Sequence, residues 1–540
     1  MSNGTRQSDM RAGQRPLSGA AGITALALLA LAVLPLLSGA AMRLVALLGY
    51  PYPHDGLEGT LLHEAHLLWS GAALYQPLDR FSFVSAPYPP LHPLILGLAD
   101  QLTGPHVFWF GRLVSLIAAL GVSALIVLTV WRTGATWLGG LIGACLFLSA
   151  PAVLLWATRI KPDLTALLWT ALGLFLATRA TIGDQPTIWR LGRSNWQLGV
   201  SGPQSAIADR RSLFAGQWML VALCFVLAFF TKQTAVAAPL AVGLALLIAD
   251  LRAFYGAGLR SGYILRFRVR WRTLIYGLTY LVLALGLWAL LDIVTGGQYT
   301  AHVWGLHRGE WWSSALLSKF IALLAPYWPM TLLALLLFIY AVRTGRGLVP
   351  ACYTLVVPIS LLGAGETGAN HNHLLETLLA LSLAAGIASG WMAELAARRQ
   401  PLALLLLGLL AAQIALAYQP QDWYLNELAP NDPPKRYLAF IRATPGEILA
   451  DDVGLLYAAG RPLRYDDPST MGPAAQSGVW DQSGLLQEIA DRRFSAILLP
   501  VNVERTSVDA SGRWTPEMLA AIRAHYQLKF RDTIFTYVPK

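Results

Sequence analysis

The chain has 540 residues, 55% of them hydrophobic and 13% charged, about half the charged fraction of an ordinary globular domain. That balance excludes a soluble enzyme of this size. The net charge of +10 falls in loops between apolar runs and not in a basic stripe interleaved with aromatics, which excludes nucleic-acid binding and points to membrane topology.

The chain opens with Arg6, Arg11 and Arg15, in a short tail over residues 1–19 that is read as cytoplasmic. The apolar run that follows carries Ser38-Gly39-Ala40-Ala41, a small-residue stretch like a signal-peptidase site. It continues past Arg43 to Leu48, longer than a signal core, so an uncleaved anchor is the better reading. Further apolar windows lie at roughly 106–131, 136–156, 163–180, 217–231, 234–251, 273–294, 318–341, 348–365, 374–394 and 401–418. Each is long enough to cross about 30 Å of hydrocarbon, and a lipid-exposed backbone must pair its own polar groups, so helices are expected. The expected fold class is therefore an α-helical polytopic membrane protein of about eleven transmembrane helices over residues 20–420, with a small C-terminal α/β domain.

Arginines mark every second loop. They stand at Arg132, at Arg190, Arg193, Arg210 and Arg211, at Arg252, Arg260, Arg266, Arg268, Arg270 and Arg272, at Arg343 and Arg346, and at Arg398 and Arg399. The positive-inside rule then places the N-terminus in the cytoplasm and the C-terminal domain outside. The remaining loops become extracytoplasmic. In the first of them, about 50–105, Leu57, Leu61, Leu62, Ala65, Leu68 and Trp69 recur at helical spacing, as expected of a helix lying in the membrane interface. Another, 295–317, carries His302, His307, Arg308, Glu310, Trp311 and Trp312.

From about residue 421 long apolar runs disappear. Strands are expected at Glu447–Ala450, Phe494–Leu499 and Thr533–Val538, with helices at Leu485–Asp491 and Pro516–His525, which together make a small layered sheet over 421–540. Asp451-Asp452 and Asp466-Asp467 read as turn and capping residues. No glycine-rich phosphate fingerprint opens any of these helices. Cys145, Cys224 and Cys352 lie in or beside apolar runs and read as buried hydrophobes.

Three groups of residues have no structural necessity. Asp55 and Glu58, in His54-Asp55-Gly56-Leu57-Glu58, share a helix face if the segment is helical. They suit deprotonation of a hydroxyl or binding of a divalent cation, and equally the capping of a helix. Arg112, Arg159, Lys161 and Lys232 stand near the outer ends of apolar runs. They suit a lipid-borne phosphate, with simple snorkelling as the alternative. His371, Asn372 and His373, with Asn370, Glu366 and Glu376, form a polar knot fit to orient a sugar or acceptor. No run of these residues matches a metal signature such as HExxH.

The run HDGLEG…LYQ…APYPPLHPLILGL, which includes Tyr88, resembles the first loop of the GT-C membrane glycosyltransferases. The resemblance is strongest to the bacterial branch near the protein O-mannosyltransferases and the lipid A aminoarabinose transferase. Lys161-Pro162-Asp163-Leu164, Phe230-Thr231-Lys232-Gln233-Thr234 and Asn370-His371-Asn372-His373-Leu374-Leu375-Glu376 extend it, and Asp451-Asp452-Val453-Gly454 and Tyr465-Asp466-Asp467-Pro468 touch the tail. It implies transfer of a sugar from a polyprenyl-phosphate donor to a hydroxyl acceptor of unknown kind (protein, lipid or glycan) on the outer face of a bacterial inner membrane. Asp55 is then the base, with Glu58 beside it. Lys232 then meets donor phosphate; the residues' own chemistry adds Arg112, Arg159 and Lys161 as further phosphate candidates and Tyr88, His371, Asn372, His373 and Glu376 as substrate-binding candidates. It names no cofactor, leaving a divalent cation as an open alternative.

Overall fold

The computed structural model describes residues 19–104, 106–183, 205–261, 271–306, 313–365, 370–392, 400–417, 435–509, 511–531 and 533–540. Several residues singled out above lie outside these segments: Arg6, Arg11, Arg15, Arg190, Arg193, Arg266, Arg268, Arg270, His307, Arg308, Glu310, Trp311, Trp312, Glu366, Arg398 and Arg399. So do most of the 1–19 tail and the boundary at 420/421.

Among the described residues each of the eleven apolar windows is mainly helical. The helices of the bundle are α1 (Gly19–Leu48), α4 (Trp109–Arg132), α5 (Trp137–Ser149), α6 (Pro151–Ala157), α7 (Pro162–Gly183), α8 (Ser205–Thr231), α9 (Ala237–Ser261) and α10 (Trp271–Val294). After the one-turn α11 (Gln298–Thr300) come α12 (Ser313–Leu324), α13 (Trp328–Thr344), α14 (Leu348–Val356), α15 (Leu375–Gly390) and α16 (Gln400–Ala417). Among the described residues six helices are long and apolar enough to cross a membrane by themselves, and a seventh is the bent pair α5–α6. The expected straight span at 136–156 is instead broken by 70° at Ala150. Pro151 is the cause: it occupies the first position of α6 and forces Ala150 out of the helical region, to φ −67° and ψ 128°. Prolines also divide the expected 318–341 and 348–365 spans, where 3₁₀ turns at Ala325–Tyr327 and Val357–Gly365 adjoin α13 and α14.

The two ends of the bundle differ in chemistry. At one end Arg252 donates to Val342 O, and Arg346 lies 5.2 Å from the Trp391 ring. At the other end the first loop, the 158–161 turn, the 232–236 turn and the Ala301–Gly305 turn converge. Gln233 shows this most directly, donating to Pro87 O at 3.0 Å and to Val303 O at 3.2 Å.

The first loop contains α2 (Gly56–Trp69) and α3 (Leu91–Thr103). The helical stripe on α2 is real, but it faces protein. Leu61, Leu62 and Ala65 are buried among Ile448, Val453, Leu455 and Leu456 of the C-terminal domain. Amphipathic periodicity records an apolar face and not what covers it, so an interfacial helix and a domain-docking helix read alike in sequence.

The C-terminal domain holds a four-stranded sheet in the order β1-β2-β4-β3, formed by β1 (Glu447–Ala450), β2 (Phe494–Leu499), β3 (Tyr526–Phe530) and β4 (Phe535–Pro539). β1 and β2 are parallel; β4 pairs antiparallel with both β2 and β3. The helices are α17 (Lys435–Ala443), α18 (Val453–Ala458), α19 (Pro468–Gln476), α20 (Ser483–Ala490) and α21 (Pro516–His525). The domain docks on the first loop at several places, of which two set its position. Phe83 forms a parallel bridge with Tyr465, its N–H donating to Arg464 O at 2.6 Å. α2 and α18 also cross so closely that a Cβ on Gly59 would lie 2.5 Å from the Gly454 Cα.

Candidate active site

Asp55 is the N-cap of α2. Its backbone is extended, and its Oδ1 accepts from the Glu58 N–H at 3.2 Å. The capping role therefore holds, but it occupies one oxygen only. Oδ2 faces two cations, Arg159 and Lys161, each at 3.2 Å. Burial raises the Asp55 pKa, while Lys161 and then Arg159 outweigh it, so the net shift is downward. The side chain keeps 27% of its surface exposed, so an acceptor can reach it.

Glu58 has a different environment. It is fully buried, and its carboxylate takes a fork from Arg112: Nε to Oε1 at 3.1 Å and Nη2 to Oε2 at 2.7 Å. The N–H groups of His54 and Ile160 complete its shell at 2.8 and 3.1 Å. Arg112 spends its other donors on Tyr50 O, Tyr52 O and Leu47 O. These two residues pin the start of the first loop to α4 and to the turn ahead of α7. Neither presents a group to the Asp55 cleft.

That turn, Ile160-Lys161-Pro162-Asp163, links Asp55 to a second cluster. Lys161 points to Asp55, whereas Asp163, in the first turn of α7, pairs with Lys232 at the end of α8. Asn372 also hydrogen-bonds Asp163. Asp163, Lys232, Thr234, Ser360, Asn372, His373 and Glu376 line one cleft. Lys232, from one expected group, thus lies with Asn372, His373 and Glu376 from another, some 140 residues away. His371 opens the short turn His371–Leu374 beside the cleft without lining it, and its N–H donates to Asn370 Oδ1 at 2.7 Å. Tyr88 sits between the two clusters. Burial, reinforced by the carboxylates of Asp163, Asp467, Glu64 and Asp55, keeps its phenol protonated well above the usual range. Its carbonyl accepts from the Tyr75 hydroxyl at 2.8 Å.

Two members of this region are not among the expected site residues. Asp163 is a carboxylate at the head of an apolar helix, and the cost of placing it there was the available signal. Asp452 had no such signal. It precedes α18 in the C-terminal domain, yet the docking of α18 on α2 brings it beside Asp55. A Cβ on Gly56 would stand 3.4 Å from the Asp452 Cα. Burial first, then the Asp55 charge, push the Asp452 pKa up to about 7. Its neighbour Asp451 is held by Arg513 at 2.9 Å and by the Trp514 indole at 2.8 Å. Among the described residues no three His, Cys, Asp or Glu side chains converge as a metal-ligand set.

The kinked helical bundle, the long first loop with its acidic helix start, and the C-terminal domain docked on that loop make up a fold that solved structures share. ArnT from Cupriavidus metallidurans, bound to undecaprenyl phosphate, superposes with a TM-score of 0.53 at 14% identity, over 94% of this chain and 97% of that one. Its apo form gives the same values. The apo oligosaccharyltransferase of Archaeoglobus fulgidus aligns with a TM-score of 0.51 at 11% identity, over 96% of this chain and 74% of that one. No protein-family model and no curated protein matches the sequence.

Proposed function

We propose that this protein is an inner-membrane glycosyltransferase that moves a sugar from a polyprenyl-phosphate donor to a hydroxyl acceptor at the extracytoplasmic surface. The observation that carries the reading is the Asp55 carboxylate, part-exposed and held by Arg159 and Lys161. A base and phosphate-binding cations are what transfer from a phosphate leaving group needs. The GT-C fold, shared with an ArnT bound to undecaprenyl phosphate, supports the donor class.

In this mechanism Asp55 takes the proton of the acceptor hydroxyl. The oxygen attacks the anomeric carbon, the carbon–oxygen bond to phosphate breaks, and the polyprenyl phosphate leaves with the electron pair. The leaving group is anionic, so positive charge stabilises it better than a proton would. Lys161 and Arg159 supply that charge beside the base, and Lys232 with Asn372, His373 and Glu376 holds the rest of the donor. A single displacement inverts the anomeric centre. Glu58 and Arg112 position the loop.

The test is turnover with a labelled polyprenyl-phosphate sugar, together with mass spectrometry of lipid retained through purification. Asp55→Asn is expected to lose at least about 100-fold in rate, in the range of lost general-base catalysis, while still carrying polyprenyl phosphate. A fully active Asp55→Asn protein would overturn the reading.

A further inference from the structure

Asp55 poses a chemical difficulty as a base. Two cations on one oxygen favour its ionised form and so weaken its pull on a proton, whereas a base works best with a pKa near the working pH. The structure places one compensating group beside it.

α2 and α18 start next to each other. Asp55 precedes the first and Asp452 the second, and the Gly59–Gly454 crossing brings these helix starts together across the domain joint. The Leu455 and Gly454 N–H groups support the Asp452 carboxylate, but its Oδ1 is buried with no hydrogen-bond partner, which is costly for a carboxylate and tolerable for a carboxyl that exchanges a proton with a neighbour. The charged and titratable groups facing the pair are Lys161 and Arg159 on Asp55, Tyr88 nearby, and Asp451 on Asp452; Asp451 is itself engaged by Arg513.

We propose that the acceptor proton is received by a carboxyl pair, Asp55 from the first loop and Asp452 from the C-terminal domain, and not by Asp55 alone. This rests on the transferase reading above. The acceptor O–H bond breaks as its proton moves to Asp55 and the new bond to the anomeric carbon forms. The phosphate departs with its electron pair. Asp55 then passes the proton to the Asp452 carboxylate, which releases it to water and resets the site. The negative charge of Asp452 also raises the affinity of Asp55 for the proton, offsetting Lys161 and Arg159. Asp452 acts through Asp55 and is in that sense a positioning residue. The two ionisations belong to the pair and appear as shared macroscopic values. On this account the C-terminal domain supplies part of the catalytic centre.

The experiment is the pH dependence of kcat/KM for the parent, Asp452→Asn and Asp452→Glu in the full-length protein, with Asp55→Asn as reference and retained polyprenyl phosphate as the check on folding. Asp452→Asn removes a negative charge beside the base. Asp452 carries that charge only above its own pKa of about 7, so the acid limb is expected to move from near neutral to lower pH by more than about one unit and the plateau to fall about tenfold or more, the lower end of acid–base effects. KM for the donor is expected to stay within about twofold, since Lys232 and its cleft are untouched. Asp452→Glu restores the charge and should return the limb toward the parent. An Asp452→Asn protein with the parent's limb and plateau overturns the proposal. So does an equal loss in both Asp452 variants with no shift of the limb, which marks a structural role. If Asp55→Asn is inactive in either case, the transferase reading stands without the pair; an active Asp55→Asn removes both.

Discussion

Every donor of the Arg112 guanidinium is committed to the protein: two to Glu58 and three to main-chain carbonyls. The pair is fully buried on both sides. Breaking one partner of such a pair strands a charge away from water and costs about 3–5 kcal/mol. Arg112→Ala and Glu58→Ala are therefore expected to lower the thermal midpoint in detergent steeply, whereas a combined replacement of both by apolar residues is expected to be milder than either alone. Equal melting of the single variants and the parent would show that the pair does not anchor the loop. In sequence Arg112 looked as ready for a phosphate as Lys232 did, because both are cations near the end of an apolar run. What separates them is which carbonyls lie within reach, and that depends on where loop residues 47–52 run. Asp452 was hidden for the same reason: its neighbour lies 397 positions earlier in the chain, since 452 − 55 = 397.

At the scale of elements, apolar runs located the long bundle helices but not the breaks inside 136–156 and 318–341, and the strand bounds Glu447–Ala450 and Phe494–Leu499 and the helix Pro516–His525 appear as read. The short helices α17, α18 and α19 were not read: six to nine residues hold few turns, and none of the three carries a period as clear as the eight-residue α20 does. β3 was missed because it follows α21 with no turn residue between them: His525 closes the helix and Tyr526 opens the strand. The α2–α18 crossing is the element-level contact on which the site depends. Gly59→Val is expected to push the two helices apart and cut transfer at least about tenfold while the membrane bundle stays folded. Limited proteolysis that frees the C-terminal domain faster from the variant than from the parent would verify this, and an unchanged cleavage rate would contradict it. The effect is steric, because the backbone of Gly454 has no side chain that can move aside.

The docking of the whole C-terminal domain is expected to depend on protons. Glu64 of α2 is buried and accepts from Ser85 Oγ at 3.1 Å and from the Ala86 N–H at 2.9 Å. Asp466 is buried beside it and accepts from the Ser85 N–H at 2.9 Å. Asp467 adds a third carboxylate, tied to Ser469 and Thr470, and Tyr75 and His302 close the other side. Burial, and then Asp467, push the Glu64 pKa up to about 8. Burial, and then Glu64, raise that of Asp466 well above the carboxylate range. A carboxyl whose folded pKa is raised binds more protons in the docked state, so docking weakens as pH climbs from the ordinary carboxylate value toward 8. The domain is expected to be cleaved from the bundle faster at pH 9 than at pH 6, and Glu64→Gln is expected to flatten that difference. A parent protein with pH-independent cleavage, after correction for the protease's own profile, would refute it.

The Gly59–Gly454 contact also bears on how such a sequence can drift. A tight contact between a large and a small residue can be rebuilt by exchanging sizes, one partner shrinking as the other grows. Where both partners are already the smallest residue, no second substitution can make room for the first. Both positions are thereby locked individually, and a tail grafted from a related protein will seat on this first loop only if it brings its own glycine to the crossing.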